Sequence, residues 1–377
     1  MASIVNYISF NELLGAPAKW QDMVRELAPT FKKPRFTNFT EEQYSEDRHW
    51  QAVSALNGKV PMASMINPYD GKPIIGSEKP LDMDGEMPTF GNKVVFTSKE
   101  FNRIGAIERA INNNVTQPSA MLDYLKSYME RLYVGPLISI DKIFYEAWSD
   151  GVSTISAADN LSKLSMSLDW KLPKYNTSHP WSDKTNATGI EDLNALYWAL
   201  RNTYGVVADR FTMNRKTLNQ LLRQDSTKQL TTYFQTSNKN VKWTGTPSLE
   251  AVNIVLDNNY GLPPIQIEDY TIDIYDTDGI KVKKTINAFK DGRVSCHLGN
   301  TIASYIWSPA DEQNRPDKDG TIYQTIEKVL VSTRQSRGQV SYESELNAIA
   351  VPILNDQMCI LTTDSTTGNT QLPAVDD

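Results

Sequence analysis

Residues 119–151 read SAMLDYLKSYMERLYVGPLISIDKIFYEAWSDG, and this stretch decides the fold. Apolar side chains fall at 122, 125, 129 and 132, then at 140, 143, 144, 147 and 148. Steps of three and four put them on one face of a helix. Ser119 is a candidate N-cap and Gly151 a candidate stop. Proline 136 has no N–H to give and crowds the preceding turn, so the stretch predicts a helix kinked or split at Gly135–Pro136. Unbroken, such a rod is about 45 Å long at 1.5 Å per residue, more than double the usual helix. It does not fit inside one compact core. It predicts a spine along which other parts are laid out.

Working outward, the chain has 377 residues, 40% of them hydrophobic, enough for two or three domains or one large elaborate one. Its net charge is 38 − 45 = −7. That balance argues against a broad non-specific nucleic-acid surface, which needs clustered Lys and Arg. Cys296 and Cys359 each sit in an apolar, strand-like run and are expected as buried thiols of a reducing compartment. The start, MASIVNYISF, lacks a basic region ahead of an apolar core, so no secretory leader is expected. No apolar run approaches the roughly 18 residues of a membrane span. The Asn-x-Ser/Thr sequons at Asn38, Asn114, Asn176 and Asn186 then mark only surface loops. The expected place of synthesis is the cytosol.

Before the spine, residues 1–55 mix short helical patterns with Pro17, Pro29 and Pro34. Few apolar residues are available to close a core, and KKPRFTNFTEEQYSEDRHW (32–50) reads as an exposed connector. The segment is expected to be an arm lying on something else, such as another subunit. Residues 56–98 carry a proline or glycine every few positions. A two-stranded flap whose base pairs VPMASMI with KVVFTS satisfies that backbone better than a free coil. A helix over 99–117 feeds the spine. Beyond it come helices at 189–205, 214–224 (Asn214 as N-cap) and 247–261. Strand-like runs then dominate from 262 to 362. The stripe Leu193, Leu196, Tyr197 and Leu200 reads as core, and the polar tail after 362 as disordered. The 225–246 stretch has no assigned place. This is α+β, with neither βαβ alternation nor internal repeats.

Catalytic constellations are missing. His49, His179 and His297 have no partners at metal-ligand spacing, and no GxSxG, GxxxxGK[ST], GxGxxG or HExxH occurs. Asp141, Glu146 and Asp150 offer an acidic patch on the spine, although Lys142 four residues before Glu146 favours an ordinary helix ion pair. Asp273, Asp276 and Asp278 before Gly279 resemble half a calcium loop without its closing Glu, and read first as a hairpin turn. No catalytic, cofactor-binding or metal-ligating residue is expected. The 8 Trp and 17 Tyr are spread over arm, loops and strands, as in surfaces that become buried on contact.

Several pieces, taken in order, resemble the major capsid proteins of tailed bacteriophages, in the lambda-type branch of the Hong Kong-ninety-seven-like fold shared with encapsulins and the herpesvirus shell floor. The Pro/Gly-rich flap ending in KVVFTSKEF is similar to the family's extended E-loop and first helix. YLKSYMERLYVGPLISIDKIFYEAWSDG is similar to its spine helix. WSDKTNATGIEDL (181–193) resembles its W…A…D-L lead-in to the central domain, and RFTMNRKTLNQLL its strand and short helix. GLPPIQIEDYTIDIYDTDG with FKDGRVSCHLG resembles its paired strands, and NAIAVPILNDQMCILTTD its closing strands. The resemblance spans about residues 56–362.

The resemblance implies an N-terminal arm (1–55), an E-loop ribbon (56–98), a peripheral domain with the spine helix (99–151 and 271–362), an axial domain (152–270) and a flexible tail (363–377). It implies a structural, non-enzymatic subunit that assembles with itself into pentamers and hexamers through arm and E-loop. The expected product is an icosahedral phage head enclosing double-stranded DNA without sequence-specific binding. Portal, scaffold and decoration proteins are the expected partners, with no membrane. Assembly is expected in the host bacterial cytoplasm, and residence in the virion. The physics runs the same way, since ribbons and arms unable to bury themselves bury on neighbours, and head-to-tail exchange closes rings. The alternatives are an encapsulin-type nanocompartment shell and, further off, an α+β enzyme or binding protein.

Overall fold

The computed structural model describes residues 27–54, 81–115, 119–160, 162–236, 245–275, 282–316, 321–326, 328–336, 339–352 and 357–373. In chain order the first elements are β1 (Thr40–Tyr44), β2 (His49–Ser54), β3 (Leu81–Glu86), β4 (Thr89–Phe90) and β5 (Lys93–Thr97). Helices α1 (Ser98–Asn112) and α2 (Ser119–Asp150) follow, then β6 (Val152–Ile155), β7 (Met166–Asp169) and β8 (Lys174–Asn176). The middle holds α3 (Gly189–Tyr204), β9 (Arg210–Met213), α4 (Arg215–Arg223), α5 (Asp225–Thr236), α6 (Leu249–Val255) and β10 (Ile265–Ile267). The chain continues through β11 (Thr271–Tyr275), β12 (Val282–Asn287), β13 (Arg293–His297) and β14 (Ala303–Ser308). It closes with β15 (Ile322–Ile326), β16 (Val329–Ser336), β17 (Gln339–Pro352), β18 (Met358–Thr362) and β19 (Thr370–Gln371).

The spine is present and whole. α2 covers 32 residues with Pro136 inside it, so of the two expected outcomes, a kink or a split, the split does not occur. One side chain braces this stretch, that of Asn92, just before β5. Its side-chain Nδ2 donates to the carbonyl of Arg131 at 2.7 Å. A Cβ on residue 135 would sit 2.3 Å from that nitrogen, so glycine leaves the room the amide needs. Pro136 lacks the N–H that would meet the Leu132 carbonyl, and the Asn92 amide bonds the neighbouring carbonyl, one residue earlier. Gly151 ends the rod in the left-handed conformation (φ +63°), with its N–H on the Ala147 carbonyl at 2.9 Å.

Two cores result. The first surrounds α2, where Leu125, Met129, Leu132, Ile140, Ile143, Phe144, Ala147 and Trp148 are buried, as the spacing predicted. A sheet in the order β1-β14-β17-β16-β15 covers it, and β4 and β5 also pair with β17. β17 alternates buried and half-buried residues at first, then is buried at every position from Leu346 to Pro352. The second core sits under a sheet ordered β10-β9-β13-β18-β8-β19, closed by α3, α4 and α6. The stripe Leu193, Leu196, Tyr197 and Leu200 is buried in it. β13 and β18, from the 271–362 stretch, belong to this second sheet.

Four expectations are corrected. KVVFT does not close the ribbon. β5 pairs antiparallel with β17, and the described ribbon base is instead β2 on β3, with His49 opposite Glu86. The partner expected for it, VPMASMI, lies outside the described residues. The 32–50 stretch is no free connector either, because Phe36 and Trp50 are buried and β1 lies parallel along β14. The tail over 363–373 is built in. β19 pairs with β8, and the Asn369 side chain donates to Asn176 Oδ1 at 3.0 Å. Finally, Trp50, Trp148, Trp170 and Trp181 fill this chain's own cores rather than lying exposed for contact, because the arm and ribbon root fold back onto the spine. The unassigned 225–246 stretch begins as α5.

Candidate functional site

The residues that sequence reading singled out are dispersed. His49 is exposed, with Nε2 3.5 Å from Asp84 Oδ2 across the ribbon base. His179 is exposed in the loop before Trp181. His297 is buried, with one ring nitrogen 3.0 Å from Thr212 Oγ1 and the other 3.2 Å from the Gly299 carbonyl. Burial and the nearby Arg210 push it down to about 4, so it is neutral at pH 7. Cys296 and Cys359 face each other across β13 and β18, both fully buried, and burial raises the Cys296 thiol well above its usual range. Asp273 accepts from Thr285 Oγ1 at 2.6 Å within the β11–β12 pair, while Asp276, Asp278 and Gly279 lie outside the described residues. Among the described residues no three His, Cys, Asp or Glu side chains are grouped to hold a metal ion, and no helix is long and apolar enough to cross a membrane.

The acidic patch foreseen on the spine separates into three tasks. Glu146 takes Lys142 at 2.6 Å, the expected helix pair, and also the backbone N–H of Thr154 at 2.7 Å. Asp150, at the helix C-terminus where negative charge is unfavourable, is held by Lys290 at 2.6 Å and Arg293 at 2.7 Å. Burial works against its ionisation, but these two cations outweigh it and its carboxyl lies below the usual range. Arg293 also reaches Asp364 at 2.6 Å, so one guanidinium ties spine, second sheet and tail. A cleft of about 230 Å³ opens beside this chain of charges, lined by Lys142, Glu146, Asp150, Asn287 and Lys290 among others. Its charged groups are already paired, which leaves little to bind or activate a substrate.

Asp141 does something different. It is fully buried and points at the arm, accepting from the backbone N–H of Phe36 at 2.7 Å and of Arg35 at 3.2 Å. Burial pushes its carboxyl up to about 6 against the pull of those two donors. Phe36 packs at a tilt against Tyr305 of β14 with centroids 4.8 Å apart, and Phe39 against Trp148 of α2 at 5.0 Å, so rings seat the arm on both sheet and helix. The ribbon root is seated likewise, with Trp50 against Trp170 at 5.5 Å.

The quoted W…A…D-L lead-in also has a physical basis. Trp181 is fully buried and its indole N–H donates to Asp192 Oδ2 at 2.8 Å, with Ala187 and Leu193 fully buried beside it. Asn214 caps α4 as predicted, its Oδ1 accepting the Thr217 N–H at 2.8 Å, while its Nδ2 donates to the Phe289 carbonyl at 3.0 Å. Sequence reading missed the arm contacts of Asp141 and the Arg293 pairings. The partners lie between 71 and 143 residues away, and no local spacing signals them.

No family model and no curated protein matches the chain. Solved structures do. A protein assigned as the capsid protein of a prophage of E. coli CFT073 aligns over 92% of this chain and 98% of its own, at 11% identity and a TM-score of 0.51. A phage-related protein from Bordetella bronchiseptica RB50 aligns over 92% of this chain and 98% of its own, at 8% identity and a TM-score of 0.44. The capsid of cyanophage A-1(L) aligns over 89% and 94%, at 12% identity and a TM-score of 0.46. At such identities the likeness speaks to fold. The chain has the fold of that prophage capsid protein, and in this chain arm, ribbon root and a long spine helix organise two cores.

Proposed function

We propose that this chain is the major capsid protein of a tailed phage, a structural subunit without catalytic residues that assembles with copies of itself into the shell of the virion. The observation that carries this reading is the fold shared with the prophage capsid protein over 92% of the chain. The chemistry supports it too, because the buried polar groups around the spine are spent on holding arm, ribbon and tail in place. In this reading the first core is the peripheral domain and the second the axial domain. Residues 1–55 and the ribbon carried by β2 and β3 are the elements that reach neighbours in pentamers and hexamers. The shell is icosahedral and encloses double-stranded DNA held by no sequence-specific contact. Portal, scaffold and decoration proteins join it, and assembly takes place in the host bacterial cytoplasm.

The test is electron microscopy of the recombinant chain, with and without a co-expressed scaffold from the same genome, after size exclusion. Closed, regular shells are the expected result. A chain that stays a monomer in both cases, across salt and crowding conditions, overturns the reading. Deleting residues 66–86 should leave a soluble subunit that closes no shells, and normal particles from that variant would refute the exchanged ribbon.

A further inference from the structure

The arm is joined to both cores at one polar junction, spanned by Arg35, whose side chain is half exposed while its partners are buried. Its backbone belongs to the first core. Phe31 and Phe36 on either side are buried there, and the Arg35 N–H is held by Asp141 of α2 at 3.2 Å. Its side chain points the other way. Nη1 donates to Glu268 Oε1 at 2.8 Å, and the same oxygen accepts the Tyr145 hydroxyl at 2.9 Å. Glu268 extends the second sheet, because its own N–H donates to the Met213 carbonyl of β9 at 3.0 Å. Two residues later Tyr270 is buried in the first core, with the cations of Lys32 and Arg35 over its ring at 5.1 and 5.3 Å. Residues 268–270 are therefore one of the crossings between the cores, and the arm is fastened across it.

A carboxylate as buried as Glu268 needs a partner of opposite charge, and Arg35 supplies the only full positive charge hydrogen-bonded to it among the described residues. Rotating one core against the other at this crossing separates Arg35 from Glu268, since each is anchored by its backbone to a different core. We propose that the Arg35–Glu268 pair is a latch that fixes the angle between the two cores, so that the seating of the arm on α2 sets the curvature available to the subunit. This rests on the shell-subunit reading for its purpose but not for its test. One sequence that must fill several positions on a curved surface needs a two-state element of this kind, biased by contacts of its arm.

The experiment is amide hydrogen exchange on the unassembled subunit, for the wild type, Arg35→Ala, Arg35→Lys and Glu268→Gln, followed by particle sizing. Arg35→Ala should speed exchange over 265–275 by about tenfold, the scale of one lost charge-assisted hydrogen bond, while the middle of α2 keeps its protection. Arg35→Lys should recover part of that protection, and particles should broaden in diameter as the latch weakens. Should Arg35→Ala not fold, Glu268→Gln must still show the local loosening. Unchanged exchange over 265–275 in folded Arg35→Ala and Glu268→Gln overturns the latch. Loosened exchange in a chain that never forms shells, the wild type included, sustains the latch and overturns the shell reading instead.

Discussion

The two cores are assembled by opposite means. The second is largely local, with α3, β9, α4, α6 and β10 arriving in order between residues 189 and 267, each helix marked by a cap or stop near its end. The first is built from pieces far apart in sequence. β1 lies along β14, β5 along β17, and the arm is gripped by Asp141 at a separation of 106 residues. The difference teaches where this fold keeps its outward-reaching parts. Arm and ribbon root both pack in the nonlocal core, so their seating and the stability of that core are one problem.

The sharpest way to break the comparison is to damage each core alone. Trp181→Ala empties the centre of the second core and leaves Asp192 buried without its donor. The expected loss is about 4 kcal/mol, the usual cost of truncating a buried tryptophan. Hydrogen exchange should show α3 and α4 opening while the middle of α2 stays protected. Equal loss in both cores would mean that they fold as one unit.

Arg293→Ala addresses the join. It unpairs Asp364 and leaves Asp150 with Lys290 alone at the negative end of α2. Arg293 is 13% exposed and Asp150 22%, so screening is modest, and a loss of about 2 kcal/mol is expected. Urea midpoints check it, and a shift within error would show that the tail and the spine end are held by packing instead.

Titration sharpens the contrast further, because each core buries one aspartate, Asp141 or Asp192, raised by burial to about 6. Between pH 4 and pH 6 the folded chain holds these protons while the unfolded chain releases them. Their contribution is therefore full below about pH 4 and is lost as pH rises through 6, about 3 kcal/mol for each group. His297, lowered to about 4, works in the opposite sense, since its contribution is present above about 6.5 and is lost as pH falls through 4. Asp192→Asn keeps an acceptor for Trp181 and should flatten the pH dependence of the second core only. An unaltered slope between urea midpoints at pH 4.5 and pH 7 would sink this assignment.

The smallest effect is expected at Gly135→Ala. Alanine favours the helix by about 1 kcal/mol but displaces the Asn92 amide, so global stability should move by less than about 1 kcal/mol. Exchange at 91–97 should nevertheless rise. If it does not, Asn92 is ornamental to the turn between β4 and β5.

These contrasts also explain what could be read in the sequence. α2 was legible because its periodicity is local and its stop is a glycine, and α3 and α4 because stripe and cap lie within a few residues. The resemblance in segment order carried the fold. Strand partners were not legible. KVVFT looked like half of a hairpin because nothing near it names Gln339–Glu343 as its neighbour. Asp141 and Asp150 looked alike on one helix, and only distant residues make one a clasp for the arm and the other a hub for cations. The junction at Arg35 was invisible for the same reason, since its partners come from residues 141, 145 and 268.

The brace that Asn92 sets against α2 has a mechanical consequence. A helical beam loaded along its length yields first where its ladder of internal ties is interrupted, which here is mid-span, at Gly135–Pro136. The tie beside that weak section comes from Asn92, on the turn that leads into β5. One amide group therefore couples the beam at mid-span to the strand that lies along β17. A load on that strand is passed to the beam next to its weakest point.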